Sequence, residues 1–399
     1  MGLLQSCCHL LLGTLLALMG ISGVFQPSLP LSLSQEEQQN KITLLIQSSP
    51  EAELQTHLEI HSPELAEAIV ENERQPLDSI PMTDRSIQLV RNGRTFVMEL
   101  DEAGNVYDRR TRKQVLLSEE QKAELAGYGE LLAHNHYGSL LSWNEADRLL
   151  PVNKKFTVLE LETGKSFEVQ RRAGSDHADV QPLTAKDTAI MKEIYDGEWS
   201  WKRKAILVQS DKGWLAASMH GMPHGGDGIP GNKFNGHFCI HFLNSITHKS
   251  NHKDPGHQLM VHKAAGEVKT YLRSLNPYEL VDSWIAAAHL QQIPIMGYFF
   301  GDEYEGEWNN MVDEVQLIRS IRRTGSFPEL PDPDMEKDKT DMKLTVETGI
   351  QMSGGKLINR KLDFYLSLHD GSWHISRIEG LGKDLDKKDE IGVSAHKGE

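Results

Sequence analysis

The sequence predicts an α+β protein built from several domains, and three observations support this class. The chain has 399 residues, which exceeds the usual size of one domain, so two or three cores are expected. Runs with alternating apolar residues, typical of strands, fill the middle and the end of the chain. Helix-like stretches flank that middle part. We therefore expect a strand-rich central domain, a helical and β accessory N-terminal domain, and an α+β C-terminal domain.

Residues 1–30 are expected to be a signal peptide or an N-terminal anchor. Their apolar run, Leu10–Phe25, is short for a membrane span but suits the core of a signal peptide. The remaining chain would then contain only Cys239, because the other two cysteines are Cys7 and Cys8, and no internal disulfide would be possible. The expected location is extracellular or at the cell envelope, with membrane anchoring through this segment as the open alternative.

Residues 35–150 are predicted to form an accessory domain of helices and β-hairpins. The stretches ITLLIQ and PELAEAIVENE predict short helices. Alternating apolar residues around Asn92-Gly93 and Gly104-Asn105 predict an antiparallel meander. A longer helix is expected from about Ser118 to His134. No catalytic or binding motif is predicted in this part of the sequence.

Residues 151–265 are predicted to form the central domain. Alternating runs surround the turns at Thr163-Gly164 and Asp211-Lys212-Gly213, which predicts two hairpins. Between them, a helix is expected with Thr184 as its cap and Asp187 in its first turn.

The C-terminal part, residues 266–381, combines helix-like stretches with three alternating runs at its end. This order predicts an α+β domain, and the pattern resembles a nuclear transport factor 2-like cone. Residues 382–399 are rich in charge and are expected to be a polar tail.

The charge distribution limits the partners. The whole chain carries a net charge of −15, but the central part has 15 Lys and Arg against 12 Asp and Glu. A net negative surface opposes nonspecific binding to nucleic acid or anionic lipid. No nucleic-acid partner is therefore expected.

The segment with the clearest chemical signal begins at His224-Gly225, after a predicted strand. A glycine-rich loop follows and leads to Gly236, His237 and Cys239. A cysteine attacks efficiently only as a thiolate, and a nearby imidazole can accept its proton. Glycines allow the positive φ angles that such a returning loop needs. The spacing therefore favours a cysteine and histidine pair.

These residues resemble the signature of the L,D-transpeptidase family, which has His-Gly, a loop of similar length, and then Ser/Thr-His-Gly-Cys. Here Phe238 replaces the glycine before the cysteine, and His241 replaces an arginine that usually follows it. The resemblance implies that Cys239 attacks a carbonyl of a peptidoglycan stem peptide and forms a thioester, in a bacterial cell wall, without a cofactor or metal. It implies His224 as the base and His237 as a supporting imidazole. Further supporting or substrate-binding residues are expected at His220, Gly225, Gly236, Phe238 and His241.

Strand alternation places His237, Cys239 and His241 on one face and Phe238 and Ile240 on the other. An isolated cysteine is more often a buried hydrophobic residue than a reactive thiol. Three polar or reactive groups on one face favour a functional site instead.

Two alternative functions and the roles of two groups of residues stay open at this point. The chain could be a noncatalytic cell-envelope binding protein that keeps the fold. It could also be a zinc hydrolase, because histidine is abundant in the middle part and zinc takes N, S and O donors. His177, Asp179 and Gln181 could project into a cleft or merely cap a turn, and Trp199 and Trp201 could stack on a sugar or merely pack.

Overall fold

The computed structural model describes residues 41–91, 93–226, 228–247, 252–301, 304–327 and 339–381. The protein is mixed α+β, and its described strands form three sheets, of which the middle one closes into a barrel. Residues 1–30 and 382–399, predicted as leader and polar tail, lie outside the described residues. In the described part, no helix is both long enough and apolar enough to cross a membrane.

The first sheet has seven strands in the order β2-β1-β4-β5-β6-β7-β3. The helix predicted for ITLLIQ is wrong, because these residues form the interior strand β1, whose Ile42, Leu44 and Ile46 face the core. The helix from Ser118 begins with a reciprocal cap, in which the Ser118 hydroxyl accepts from the N–H of Gln121. The elements are β1 (Lys41–Ile46), β2 (Thr56–His61), α1 (Pro63–Glu71), β3 (Arg74–Pro76), β4 (Arg85–Arg91), β5 (Arg94–Leu100), β6 (Val106–Asp108), β7 (Lys113–Val115) and α2 (Glu119–His136).

The second sheet is a closed six-stranded barrel in the order β10-β13-β12-β11-β8-β9. Both predicted hairpins are present, as is the helix capped by Thr184. The carboxylate of Asp187 accepts from the N–H of Thr184 and from the N–H of Glu168, so it ties this helix to the barrel. The elements are α3 (Trp143–Leu149), β8 (Lys155–Glu160), β9 (Ser166–Ala173), β10 (Ala178–Pro182), α4 (Ala185–Ile194), β11 (Arg203–Ser210), β12 (Gly213–His220) and β13 (Phe238–His241).

Helices and a four-stranded antiparallel sheet follow the barrel. The helical stretch from 257 to 275 divides in two at Gly266, whose φ of 72° ends the first helix in a left-handed cap. The elements are α5 (Pro255–Ala265), α6 (Val268–Arg273), α7 (Pro277–Leu290), α8 (Ile293–Met296), a 3₁₀ turn (Gly297–Phe299), α9 (Glu305–Gln316), β14 (Ile318–Arg323), β15 (Asp341–Met352), β16 (Leu357–His369) and β17 (Ser372–Glu379).

Helix α5 lies against the outer surface of the barrel. Its apolar residues join one buried cluster with Leu207 and Ala216 of the barrel and with residues of the C-terminal helices. Asp254 caps α5 by accepting from the N–H of His257, and it also accepts from Arg203 on β11 at 2.6 Å. The helix is therefore fixed over strands β11 and β12, where it covers polar side chains of the barrel surface.

Candidate functional site

Strand β13 positions the site because it lies between β10 and β12 in the barrel. Its register sets Cys239 opposite Asp179 on β10 and His241 opposite Ser218 on β12. Directly opposed residues lie on the same face of a sheet, so these four side chains face outward together. Phe238 and Ile240 point the other way and join the apolar core of the barrel.

The glycine-rich loop returns so that His224 and His237 form a short antiparallel bridge. Their backbones exchange two hydrogen bonds of 3.0 and 2.8 Å. Gly225 and Gly236 have φ angles of 74° and 99°. A β-carbon at Gly225 would overlap the His237 ring, and one at Gly236 would overlap the His224 carbonyl. Glycine is thus needed at both positions to bring the two histidines together.

Cys239 and His224 form the closest reactive pair of the site. The distance from Cys239 Sγ to His224 Nε2 is 3.4 Å. On the other side of the ring, His224 Nδ1 lies 3.0 Å from the carbonyl oxygen of Met222. A carbonyl only accepts, so we assign the ring proton to Nδ1. The Nε2 lone pair is then directed at the sulfur and can accept its proton.

Asp179 is the carboxylate of the site. Its Oδ1 atom lies 3.8 Å from Cys239 Sγ, 3.7 Å from His237 Nε2 and 3.4 Å from His177 Nε2. Cys239 is only 4% exposed. Burial, together with the negative charge of Asp179, raises the pKa of the Cys239 thiol. These surroundings favour the neutral thiol over the thiolate.

Between α5 and the barrel, His257 of α5 forms a stack of imidazole rings with His241 of β13 and with His177, which precedes β10. The ring centre of His241 lies 4.3 Å from that of His177 and 3.8 Å from that of His257. The Ser218 hydroxyl is 2.9 Å from His257 Nδ1. Burial is the main cause that holds the pKa values of His241 and His257 well below the usual range. These two rings are neutral at physiological pH.

His220 connects the two groups of histidines at the end of β12. Its ring centre lies 5.2 Å from that of His224 and 6.0 Å from that of His257. Burial, with smaller contributions from His224 and Arg203, lowers its pKa to about 3. His220 is therefore a neutral buried ring, with the ring of Trp201 beside it at 4.7 Å.

The predicted site residues thus fall into distinct places. Cys239, His224 and His237 come together, with Gly225 and Gly236 shaping the bridge. His241 and His220 lie behind the thiol in buried positions. Phe238, predicted as a supporting residue near the substrate, is fully buried in the barrel core beside Phe167 and Phe234. Its side chain lies on the opposite face of the strand from the thiol.

Two residues of the site were left undecided by the sequence. Asp179 faces the thiol, but it lies 60 positions before Cys239, and only the pairing of β10 with β13 brings them together. Trp201 is 49% exposed, and its ring centre lies 5.4 Å from that of His224. Trp199, by contrast, packs against Phe234. Sequence spacing contains no signal for either contact.

Metal-ligand geometry also centres on the thiol. Among the residues that the structure describes, three sets of three donors have all their ligand atoms within 4.8 Å of one another, and Cys239 belongs to each set. The partners are His177 with His241, His220 with His224, and Asp179 with His237.

A cavity of about 1430 Å³ lies elsewhere, between the first sheet and the far end of β12 near Trp214.

No known protein-family model matches this chain, and no curated protein matches it either. The assignment of a function therefore depends on the geometry of the site and on the signature in the sequence.

Proposed function

We propose that this chain is an exported, cysteine-dependent acyl transferase or hydrolase, similar to the L,D-transpeptidases, which acts on peptidoglycan stem peptides. The observation that carries the proposal is the 3.4 Å contact between Cys239 Sγ and His224 Nε2, with the His224 lone pair directed at the sulfur. Residues 151–265 would form the catalytic domain. Residues 266–381 would form an α+β domain, similar to nuclear transport factor 2, that binds or positions a component of the cell envelope.

His224 removes the thiol proton while the sulfur attacks the carbonyl carbon of the substrate. The resulting imidazolium gives this proton to the leaving amine, and a thioester remains on Cys239. A second amine or a water molecule then attacks the thioester, and His224 accepts its proton. The released thiolate takes this proton back, which restores the starting state. Transpeptidation and hydrolysis differ only in the second nucleophile.

Asp179 has an electrostatic role in this sequence of steps. Its negative charge opposes formation of an isolated thiolate, because it lies 3.8 Å from Sγ. Proton transfer to His224 during the attack avoids a full thiolate beside this carboxylate, because the sulfur bonds to the carbonyl carbon as its proton leaves. His237, whose Nε2 lies 3.7 Å from Oδ1, helps to hold this carboxylate beside the thiol.

Approach to the thiol is expected from the side of His224 and His237. Both are partly exposed, whereas the other neighbours of Cys239 are buried. Trp201 stands beside His224 with about half of its surface open to solvent. A flat apolar ring in this place suits the aliphatic part of a peptide stem or a sugar face.

The proposal is tested with purified protein and peptidoglycan fragments that carry tetrapeptide stems. Mass spectrometry should show loss of the terminal D-amino acid, cross-linked products, or an acyl adduct on Cys239. The matched variant is Cys239→Ser, which keeps the size of the side chain but lacks the thiol. Absence of adduct and product with the unmodified protein, together with retained binding of the fragments, would support a noncatalytic envelope-binding protein instead.

A further inference from the structure

The sulfur of Cys239 also belongs to a set of side chains with the donor atoms of a metal site. Cys239 Sγ, Asp179 Oδ1 and a His237 ring nitrogen lie within 4.8 Å of one another. Thiolate, imidazole and carboxylate together form a donor set that suits zinc, which binds all three types. Calcium and magnesium prefer sets made only of oxygen.

The distances within this set match those between the ligands of a tetrahedral ion. Zinc bonds of about 2.0–2.3 Å place neighbouring donors about 3.3–3.6 Å apart. Asp179 Oδ1 lies 3.7 Å from His237 Nε2 and 3.8 Å from Cys239 Sγ. Shifts of a few tenths of an ångström would therefore complete the geometry. His224 Nε2 lies 3.4 Å from the same sulfur, but it belongs to a different donor set, which it forms with His220 and Cys239.

We propose that Cys239, Asp179 and His237 bind one zinc ion that reversibly blocks the thiol. Binding replaces the thiol proton by the metal, so each zinc ion bound releases one proton to solvent. The ion takes the sulfur, which is the nucleophile that the attack on a carbonyl requires. Zinc is thus an inhibitor here, and only this inhibitory consequence depends on the proposed function.

The electrostatics of the site agree with this assignment. A thiolate of Cys239 would lie 3.8 Å from the Asp179 carboxylate, and two negative charges this close in a buried place repel each other. A divalent cation between the two groups would turn this repulsion into attraction to both. The backbone bridge to His224 also fixes the main chain of His237 before any ion arrives, which lowers the entropic cost of binding.

The test uses the whole protein, freed of metal and titrated with zinc against a chromophoric chelator, and separately with cobalt(II). We expect one zinc ion per chain and a thiolate-to-cobalt charge-transfer band. Cys239→Ser should remove the band. Asp179→Asn and His237→Gln should each weaken zinc binding by at least about tenfold. Zinc should also slow the alkylation of Cys239 by iodoacetamide.

The control variant is His241→Gln, because His241 belongs to a different donor set around the same sulfur. It should keep the affinity of the unmodified protein. Loss of binding in His241→Gln with retention in Asp179→Asn would place the ion elsewhere and overturn the assignment. So would zinc binding that persists unchanged in Cys239→Ser.

Circular dichroism of each variant identifies loss of binding that results from unfolding. His237 is partly exposed, so His237→Gln is the variant that should disturb the fold least. Binding is read without any acyl substrate, so its outcome is separate from that of the catalytic test.

Discussion

Two groups of histidines lie on the same outer face of the barrel, and their surroundings differ. The rim group consists of His224 and His237 beside Cys239, where both rings are partly exposed. The buried stack consists of His177, His241 and His257 under α5, where each is at most 2% exposed. In the rim group the Nε2 lone pair of His224 faces the thiol of Cys239. In the buried stack the imidazole rings pack face to face against one another. Residue type alone therefore does not distinguish reactive histidines from packed ones.

The largest effect should follow from removal of the sulfur itself. Cys239→Ala should lower kcat/KM for acyl transfer by about 10⁴-fold or more, because the nucleophile is lost. The measurement is product formation from tetrapeptide stems, with His257→Gln from the buried stack as the comparison. That variant should lose less than about tenfold if it still folds. Equal losses in the two variants would contradict the distinction between rim and stack.

The second largest effect should follow from replacement of His224, the base of the proposed reaction. His224→Gln keeps the size of the side chain but cannot carry a proton, so kcat should fall by roughly 10²–10⁴-fold. Alkylation of Cys239 by iodoacetamide near neutral pH should slow as well, because the proton acceptor at 3.4 Å is gone. An alkylation rate that His224→Gln leaves unchanged would mean that the thiol does not depend on this imidazole.

The sequence predicts the local parts of this arrangement better than the long-range parts. The pairing of His224 with Cys239 follows from a short loop, and its glycines indicate the return of the chain. Asp179 reaches the thiol only through the pairing of β10 with β13, and His257 reaches the stack only through the docking of α5. Neither contact has a periodic or spacing signal. The strand at ITLLIQ was missed for a related reason, since a short segment with four apolar residues among six suits a helix or a strand until its partners are known.

A third prediction concerns the helix that covers the buried stack. Asp254→Ala removes both the cap of α5 and the partner of Arg203, so the free energy of unfolding should fall by about 2 kcal/mol. Asp254→Asn keeps the cap but not the charge, and it should lose less than half as much. Urea unfolding measures both. If the two variants are equally destabilised, the ion pair rather than the cap holds the helix.

The buried stack should also make the protein sensitive to acid. Unfolded histidine binds a proton below its usual pKa of 6.5, whereas native His257 stays neutral because its pKa is lowered. The unfolded state then binds more protons, so stability is complete above about pH 6.5 and decreases below it, by about 1.4 kcal/mol per pH unit for each such histidine.

His257→Gln should therefore flatten the pH dependence of unfolding between about pH 5 and pH 6.5. His262, which lies outside the stack and has its pKa lowered to about 4 by burial, offers a matched comparison. His262→Gln should flatten the same curve, with its effect ending near that lower pKa. A curve as steep in His257→Gln as in the unmodified protein would mean that this ring is not held neutral by the fold.

The smallest effect is expected at Trp201, the most exposed side chain next to the rim group. Its ring lies beside the rings of His224 and His220, but it takes no part in the proton transfers of the proposed reaction. Trp201→Ala should raise KM roughly fivefold, which corresponds to about 1 kcal/mol of lost stacking, and leave kcat nearly unchanged. Trp201→Phe keeps an aromatic face and should recover most of the affinity. A fall in kcat without a change in KM would mean that Trp201 orients His224 rather than contacting the substrate, and the rim group would then include this ring.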